Sequence, residues 1–237
     1  MTTTASTSWA VKSTLTTSYG SVTSVGEMAA RVGVARTAKM RELQNIVDAA
    51  KSSGQEIHFL PPYRFDTKIQ IMDLLGLHPA VQKEAASRKL IDAVVKLRST
   101  KSEEEIAELE RAARIGYEMH TAAMRLCSPE TTEQYIGGVL DGIASSYGCM
   151  VSFPSIVTMH GEILHGYPSP RKLEAGRLLL VDAGAETNNN YCSDNTRTTP
   201  ISGTFTQKQR DIYTIVEECH DLALQLAKPE VKYRDVH

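Results

Sequence analysis

The stretch Leu178-Leu-Leu-Val-Asp182-Ala-Gly184-Ala-Glu-Thr-Asn188-Asn-Asn190-Tyr-Cys-Ser-Asp194-Asn-Thr-Arg-Thr198 decides how this chain is read. Its first five residues form an apolar run that ends in a carboxylate, the pattern of a buried strand. Gly184 and the Asn188–Asn190 cluster supply turn residues, and Tyr191 to Thr198 is a second β-biased segment. A hairpin of this kind can bring Asp182 and Asp194 side by side. Paired carboxylates suit hard divalent cations, which take oxygen ligands, and two-metal hydrolysis uses such clamps. A structural reading competes with this one. An Asp in a turn after a strand caps backbone N–H groups, and on spacing alone that reading is the stronger.

Further motifs flank the hairpin. Upstream stand Phe153-Pro-Ser-Ile-Val157 and Ile163-Leu-His165-Gly166; downstream stands Pro200-Ile-Ser-Gly-Thr-Phe205-Thr-Gln-Lys-Gln209. With D-A-G-A-E and Y-C-S-D-x-T-R-T-x-P, they resemble the metal-binding half of the pita-bread metallopeptidases, and within that group the Xaa-Pro aminopeptidases (aminopeptidase P). The resemblance covers Leu97 to His237. Residues 56–97 resemble the end of the family's N-terminal domain, and nothing before Gly26 is placed.

The resemblance implies a metal-dependent aminopeptidase that releases the N-terminal residue from peptides with proline second. Asp182 and Asp194 would bind two divalent metal ions, manganese being the expected pair. His165 would act as a catalytic and substrate-binding residue, hydrogen-bonding the peptide and stabilising charge at the tetrahedral stage. Thr196 lies on the face of Asp194 and is expected to hydrogen-bond it. Arg197 lies on the opposite face and is expected to pair with a carboxylate that orients the hairpin.

Two departures stand out. Asp182 and Asp194 are twelve residues apart, one more than in many relatives, so the turn is expected to carry an extra residue. The family's remaining ligands, a histidine and two glutamates, come from a second half with no counterpart motif here. The expectation is a truncated chain, inactive by itself. The rivals are a prolidase-like dipeptidase and a non-catalytic pita-bread interaction protein. Creatinase-like members do not need the metal carboxylates, so both Asp residues disfavour them.

Composition sets the outer limits. The chain has 237 residues, 41% hydrophobic and 23% charged, with a formal net charge of -2. This is ordinary globular composition, with no general pull toward nucleic acid or an acidic membrane and no apolar run of spanning length. Cys127, Cys149, Cys192 and Cys219 form no C-x-x-C pair. Free thiols in a reducing cytoplasm are the expectation. A homo-oligomer is compatible with the resemblance, although no self-complementary face is visible.

The expected class is α/β (α+β), in three parts. Residues 1–25, rich in Ser and Thr, read as a disordered or non-native start. Residues 26–96 read as a partial creatinase/aminopeptidase P-like N-terminal α/β domain, with a helix over 28–50, a strand over 56–60 and a helix over 67–75. Residues 97–237 read as the first half of a pita-bread domain. There, Ser102 and Glu105 form a capping box for a helix to about Cys127, with Ile106, Leu109, Ala113 and Tyr117 at helical spacing. Helices are also expected over 131–147 and 206–226, and strands over 156–159, 162–164 and 177–182. Glu186 is a weak ligand candidate. Tyr191 and Cys192 read as packing, and His58, His78, His120, His160 and His220 as residues without a site.

Overall fold

The computed structural model describes residues 24–237, so nearly all of the expected irregular start lies outside the described residues. The chain divides into two compact units, Met1–Thr100 and Lys101–His237. The division falls between Thr100 and Lys101, close to the boundary expected after residue 96.

In the first unit the described elements are helices: α1 (Val25–Arg31), α2 (Leu43–Ser52), α3 (Phe65–Leu75), α4 (Gln82–Ala85) and α5 (Arg88–Ser99). The single helix expected over 28–50 is broken. Gly33 takes φ +71 and Val34 N donates to Ala29 O at 2.9 Å, closing α1 in the left-handed manner that glycine permits. The strand expected over 56–60 is also corrected. No described strand is at hand to pair with it. It is held instead by Ser87 N donating to Phe59 O (3.0 Å) and by His58 Nδ1 against Ser87 Oγ (2.7 Å). The side chain of Gln82, fully buried, donates to Lys68 O and Leu77 O, each at 2.8 Å.

The second unit opens with α6 (Glu103–Leu126). The Ser102–Glu105 capping box forms, and Glu103, Glu104 and Glu105 sit at the positive end of the helix dipole. Its buried face is Ala112, Ile115, Gly116, Met119, His120 and Ala123. The expected stripe was therefore misphased: Ala113 and Tyr117 are exposed. The small residues Ala112 and Gly116 win the inward side because a sheet packs closely against them. Next comes α7 (Glu133–Ser146), capped by Thr132, whose hydroxyl accepts from Tyr135 N at 3.1 Å.

Strands β2 (Ile156–Thr158), β3 (Leu178–Ala183) and β5 (Asn195–Pro200) form an antiparallel sheet in the order β2-β3-β5. The short strands β1 (Met150–Val151) and β4 (Ala185–Glu186) pair separately. Residues 162–164, expected as a strand, lie in a turn-rich loop between β2 and β3. Met119, Ile136, Leu140, Val157 and Leu179 are the largest apolar side chains buried completely, at the junction of α6, α7 and one face of the sheet.

The last long helix, α8 (Gln207–Leu226), starts at a Thr206–Gln209 capping box, and a short α9 (Tyr233–Val236) follows. None of the residues of α8 is buried, and Ile212, Ile215, Val216 and Leu222 are all more than half exposed. A groove of about 700 Å³ lies between α8 and β5, lined among others by Leu178, Thr196, Thr198, Ile212 and Val216. Among the described residues no helix is long and apolar enough to cross a membrane. This mixed α/β architecture packs one face of the β2-β3-β5 sheet against α6 and α7 and carries the β3–β5 hairpin.

Candidate metal centre

Strand alternation places the two carboxylates. Along β3, Leu179, Val181 and Ala183 are buried, while Leu178, Leu180 and Asp182 are half-buried on the other face. Asp182 stands opposite Thr196 in the register of β3 and β5. Asp194 lies two residues before Thr196, so it shares that face. The expected hairpin and the expected shared face are both present.

The two carboxyl groups are within hydrogen-bonding reach of each other. Partial burial, and then the neighbouring Asp182, push the Asp194 carboxyl above its ordinary range. Oδ1 of Asp182 is buried without a hydrogen-bond partner. Among the described residues, no group of three or more His, Cys, Asp or Glu side chains is gathered for a metal.

Close packing fixes this geometry. A Cβ on Gly184 would lie 1.8 Å from Ser193 O, and one on Gly116 would lie 2.8 Å from Ser193 Oγ. Ser193, directly before Asp194, is thus wedged between two glycines. Its Oγ accepts from Ala185 N at 3.0 Å, its N donates to Ala185 O at 3.0 Å, and its O accepts from Ser152 Oγ at 2.6 Å. No sequence pattern announced this keystone, although Gly184 was visible as a turn residue.

The tip of the hairpin is strapped to α6. Tyr191 Oη donates to Glu105 Oε1 at 2.6 Å, which corrects its reading as packing alone, and this bond holds the Glu105 carboxyl below its ordinary range. The Glu108 carboxyl is also held below its ordinary range by the neighbouring Thr187 and Asn189 side chains, while its Oε2 is buried without a hydrogen-bond partner among the described residues. Asn190 takes φ +62, as the turn requires.

His120, read from the sequence as lacking a site, lies directly behind the hairpin. It is buried, with Nε2 3.2 Å from Ala183 O and Nδ1 unpartnered. Burial depresses its pKa, and the carbonyl acceptor puts the proton of the neutral ring on Nε2.

The other expected residues fall differently. Arg197 is on the face opposite Asp194, as its spacing requires, yet its Nη1 donates to Thr196 O at 2.7 Å. Among the described residues it forms no ion pair with a carboxylate. Thr196 faces Asp182 across the strands, without a hydrogen bond to Asp194 among the described residues. Glu186 belongs to β4 and pairs with Met150 and Cys192, not with the Asp pair. His165 is exposed, at φ +59, in the turn-rich loop after β2.

The model of metallopeptidase family M24 matches residues 107–237, more than half of the sequence. The chain belongs to metallopeptidase family M24. The M24 chain is 37% identical over 163 residues to the Xaa-Pro aminopeptidase of Escherichia coli K12, covering 65% of itself and 36% of that protein. It is 36% identical over 200 residues to a probable Xaa-Pro aminopeptidase of Fusarium vanettenii, covering 83% of itself and 40% of the relative. Among solved structures, a substrate complex of an E. coli aminopeptidase P variant superposes with a TM-score of 0.72 at 28% identity, over 89% of this chain and 49% of that one. The prolidase of Pyrococcus horikoshii shares the fold at 23% identity, with a TM-score of 0.69 over 84% of this chain and 56% of the prolidase. The M24 chain thus has the pita-bread fold of these enzymes over about half their length.

Proposed function

We propose that this chain supplies the two-aspartate part of a Xaa-Pro aminopeptidase site, with Asp182 and Asp194 holding two divalent cations, manganese first among them. The observation that carries the reading is a pair of facing carboxylates, one with a buried oxygen that has no partner. Two like charges this close repel in the absence of a cation, and a hard divalent ion meets both the repulsion and the vacant lone pairs. When bound, such ions supply Lewis acidity and lower the pKa of a water.

The protein's own residues have separate tasks. Asp182 and Asp194 bind. Ser193, Gly184 and Gly116 fix the spacing of the two carboxylates, and Glu105 braces the loop between them. His165, exposed on its loop, hydrogen-bonds the peptide and stabilises charge on the carbonyl oxygen. A peptide with proline second has no N–H at the scissile bond, so recognition must fall on its ring and carbonyl. Two carboxylates are too few ligands for a cation pair, so the chain alone should release no residue from such peptides.

A chimera tests the reading. Residues 107–237 replace the matching segment of the E. coli Xaa-Pro aminopeptidase, and manganese-dependent release from a peptide beginning Xaa-Pro is measured. Activity is expected, and Asp182→Ala or Asp194→Ala should abolish it together with manganese content. A folded, manganese-loaded chimera without turnover would refute the peptidase assignment. Metal-dependent release by the 237-residue chain alone would refute its proposed inactivity.

A further inference from the structure

Glu133 is a buried carboxylate, 3% exposed, at the first position of α7. It has no ion-pair partner among the described residues, yet both of its oxygens are in use. Oε1 accepts from Met159 N at 2.8 Å. Oε2 accepts from Ser169 N at 3.2 Å and from Ser169 Oγ at 2.6 Å. The two backbone donors stand at the two ends of one loop, 159–169, and His165 sits near its crest. One carboxylate therefore ties both ends of the histidine loop to one helix terminus.

The surroundings reinforce the tie. Gln134 N donates to Ser169 O at 2.9 Å, and Glu133 N donates to Arg171 O at 3.3 Å. Pro168 lies against the bare face of Gly137, where a Cβ would stand 3.0 Å from its Cγ. The helix dipole favours an anion at this end of α7, which explains how a carboxylate is tolerated here without a cation. Between the anchored ends the crest is open, with Leu164 and Tyr167 about four-fifths exposed.

We infer that Glu133 is a positioning residue for His165: its carboxylate holds the loop that presents the imidazole to the peptide. The inference rests on the substrate-facing role given to His165 above. Only a carboxylate meets the geometry. Each oxygen faces a backbone N–H, and neither N–H can reverse. An amide in its place puts its NH2 against one of them, whichever way it is turned. A hydroxyl such as Ser169 Oγ can rotate; the two main-chain donors cannot.

The test compares Glu133→Gln, Ser169→Ala and the unaltered chain by amide hydrogen exchange and by the 13C-edited NMR signal of the His165 ring, assigned through His165→Gln. In Glu133→Gln, exchange within 159–169 should quicken about tenfold, the effect of leaving one buried donor unpaired, while Met119 and Ala123 in α6 keep their rates. The His165 signal should broaden or split. Ser169→Ala removes one donor and keeps both backbone bonds, so a smaller change of the same kind is expected; this variant decides the matter if Glu133→Gln does not fold. Unchanged loop exchange in either variant overturns the proposal. Faster exchange at the loop ends with an unaltered His165 signal also overturns it, leaving Glu133 a purely structural clamp. Failure of the peptidase reading would appear in the chimera and leave these signals untouched.

Discussion

Gly184→Ala should be among the most damaging single-methyl additions to this chain. The new Cβ would lie 1.8 Å from Ser193 O, 2.5 Å from Ser193 C and 2.9 Å from Ser152 Oγ. A retreat of more than 1 Å is needed, and the nearest atoms belong to backbone. Movement of Ser193 disturbs its bonds to Ser152 Oγ at 2.6 Å and to Ala185 at 3.0 Å. Overpacking costs about 1–3 kcal/mol, and two weakened hydrogen bonds add about 1 kcal/mol each. The sum is about 3–5 kcal/mol, a large share of an ordinary stability of about 5–15 kcal/mol. Gly138→Ala is the control. Nothing lies within 4 Å of its Cβ in the interior of α7, so it should stabilise by about 0.5–1 kcal/mol. Urea unfolding followed by circular dichroism reads both. With a slope of about 2 kcal/mol per molar urea, Gly184→Ala should lower the midpoint by about 2 M. A midpoint shift below about 0.3 M would refute the argument that Ser193 is held by contact with a bare glycine.

Two more outcomes follow from the same sheet. Asp194 has a folded-state pKa raised above its unfolded value near 3.8, so the metal-free fold holds that proton more tightly than the unfolded chain does. Stability conferred by the proton is present at low pH and is lost as pH rises through the raised value. Asp194→Asn should therefore melt higher than the unaltered chain at pH 7 in chelator, with the difference closing below pH 3.8; a lower melt at pH 7 would contradict this. Leu140→Ala removes a side chain with 0% exposure from the junction of helices and sheet and should cost about 2–5 kcal/mol by denaturant titration.

Much of the site was legible in the order of residues, and the reason is period. An apolar run ending in Asp182, turn residues, and a β-biased run through Thr198 can form little other than a hairpin, and alternation then puts Asp182, Asp194 and Thr196 on one face. Helix starts were legible where the cap is local, as at the Ser102–Glu105 box. Contacts between residues distant in sequence were not. Glu105 was visible as a capping residue, but its bond to Tyr191 spans 86 positions. Glu133 was not singled out in the sequence, and its partners lie 26 and 36 residues on. The buried stripe of α6 was misphased because Ile106 and Tyr117 weigh more in a hydrophobic pattern than Ala112 and Gly116. Packing chose the small residues. In the first unit, the apolar run at 56–60 read as a strand, but a strand needs a ladder partner and the described residues provide none.

Helix α8 has a thermodynamic consequence of its own. Its 20 residues span about 30 Å, and none of them is fully buried. What keeps it helical is mostly local: the Thr206–Gln209 box and a length above the range of about 12–15 residues where lone helices are marginal in water, with a long-range tie from Gln209 Nε2 to Gly176 O at 2.9 Å near its start. Its melting should therefore be gradual and separate, beginning at the Leu226 end well before β3 opens. Such a helix acts as a built-in gauge. Any molecule that comes to rest on Ile212, Val216 or Leu222 would register as slowed amide exchange along α8, with the sheet beneath unchanged.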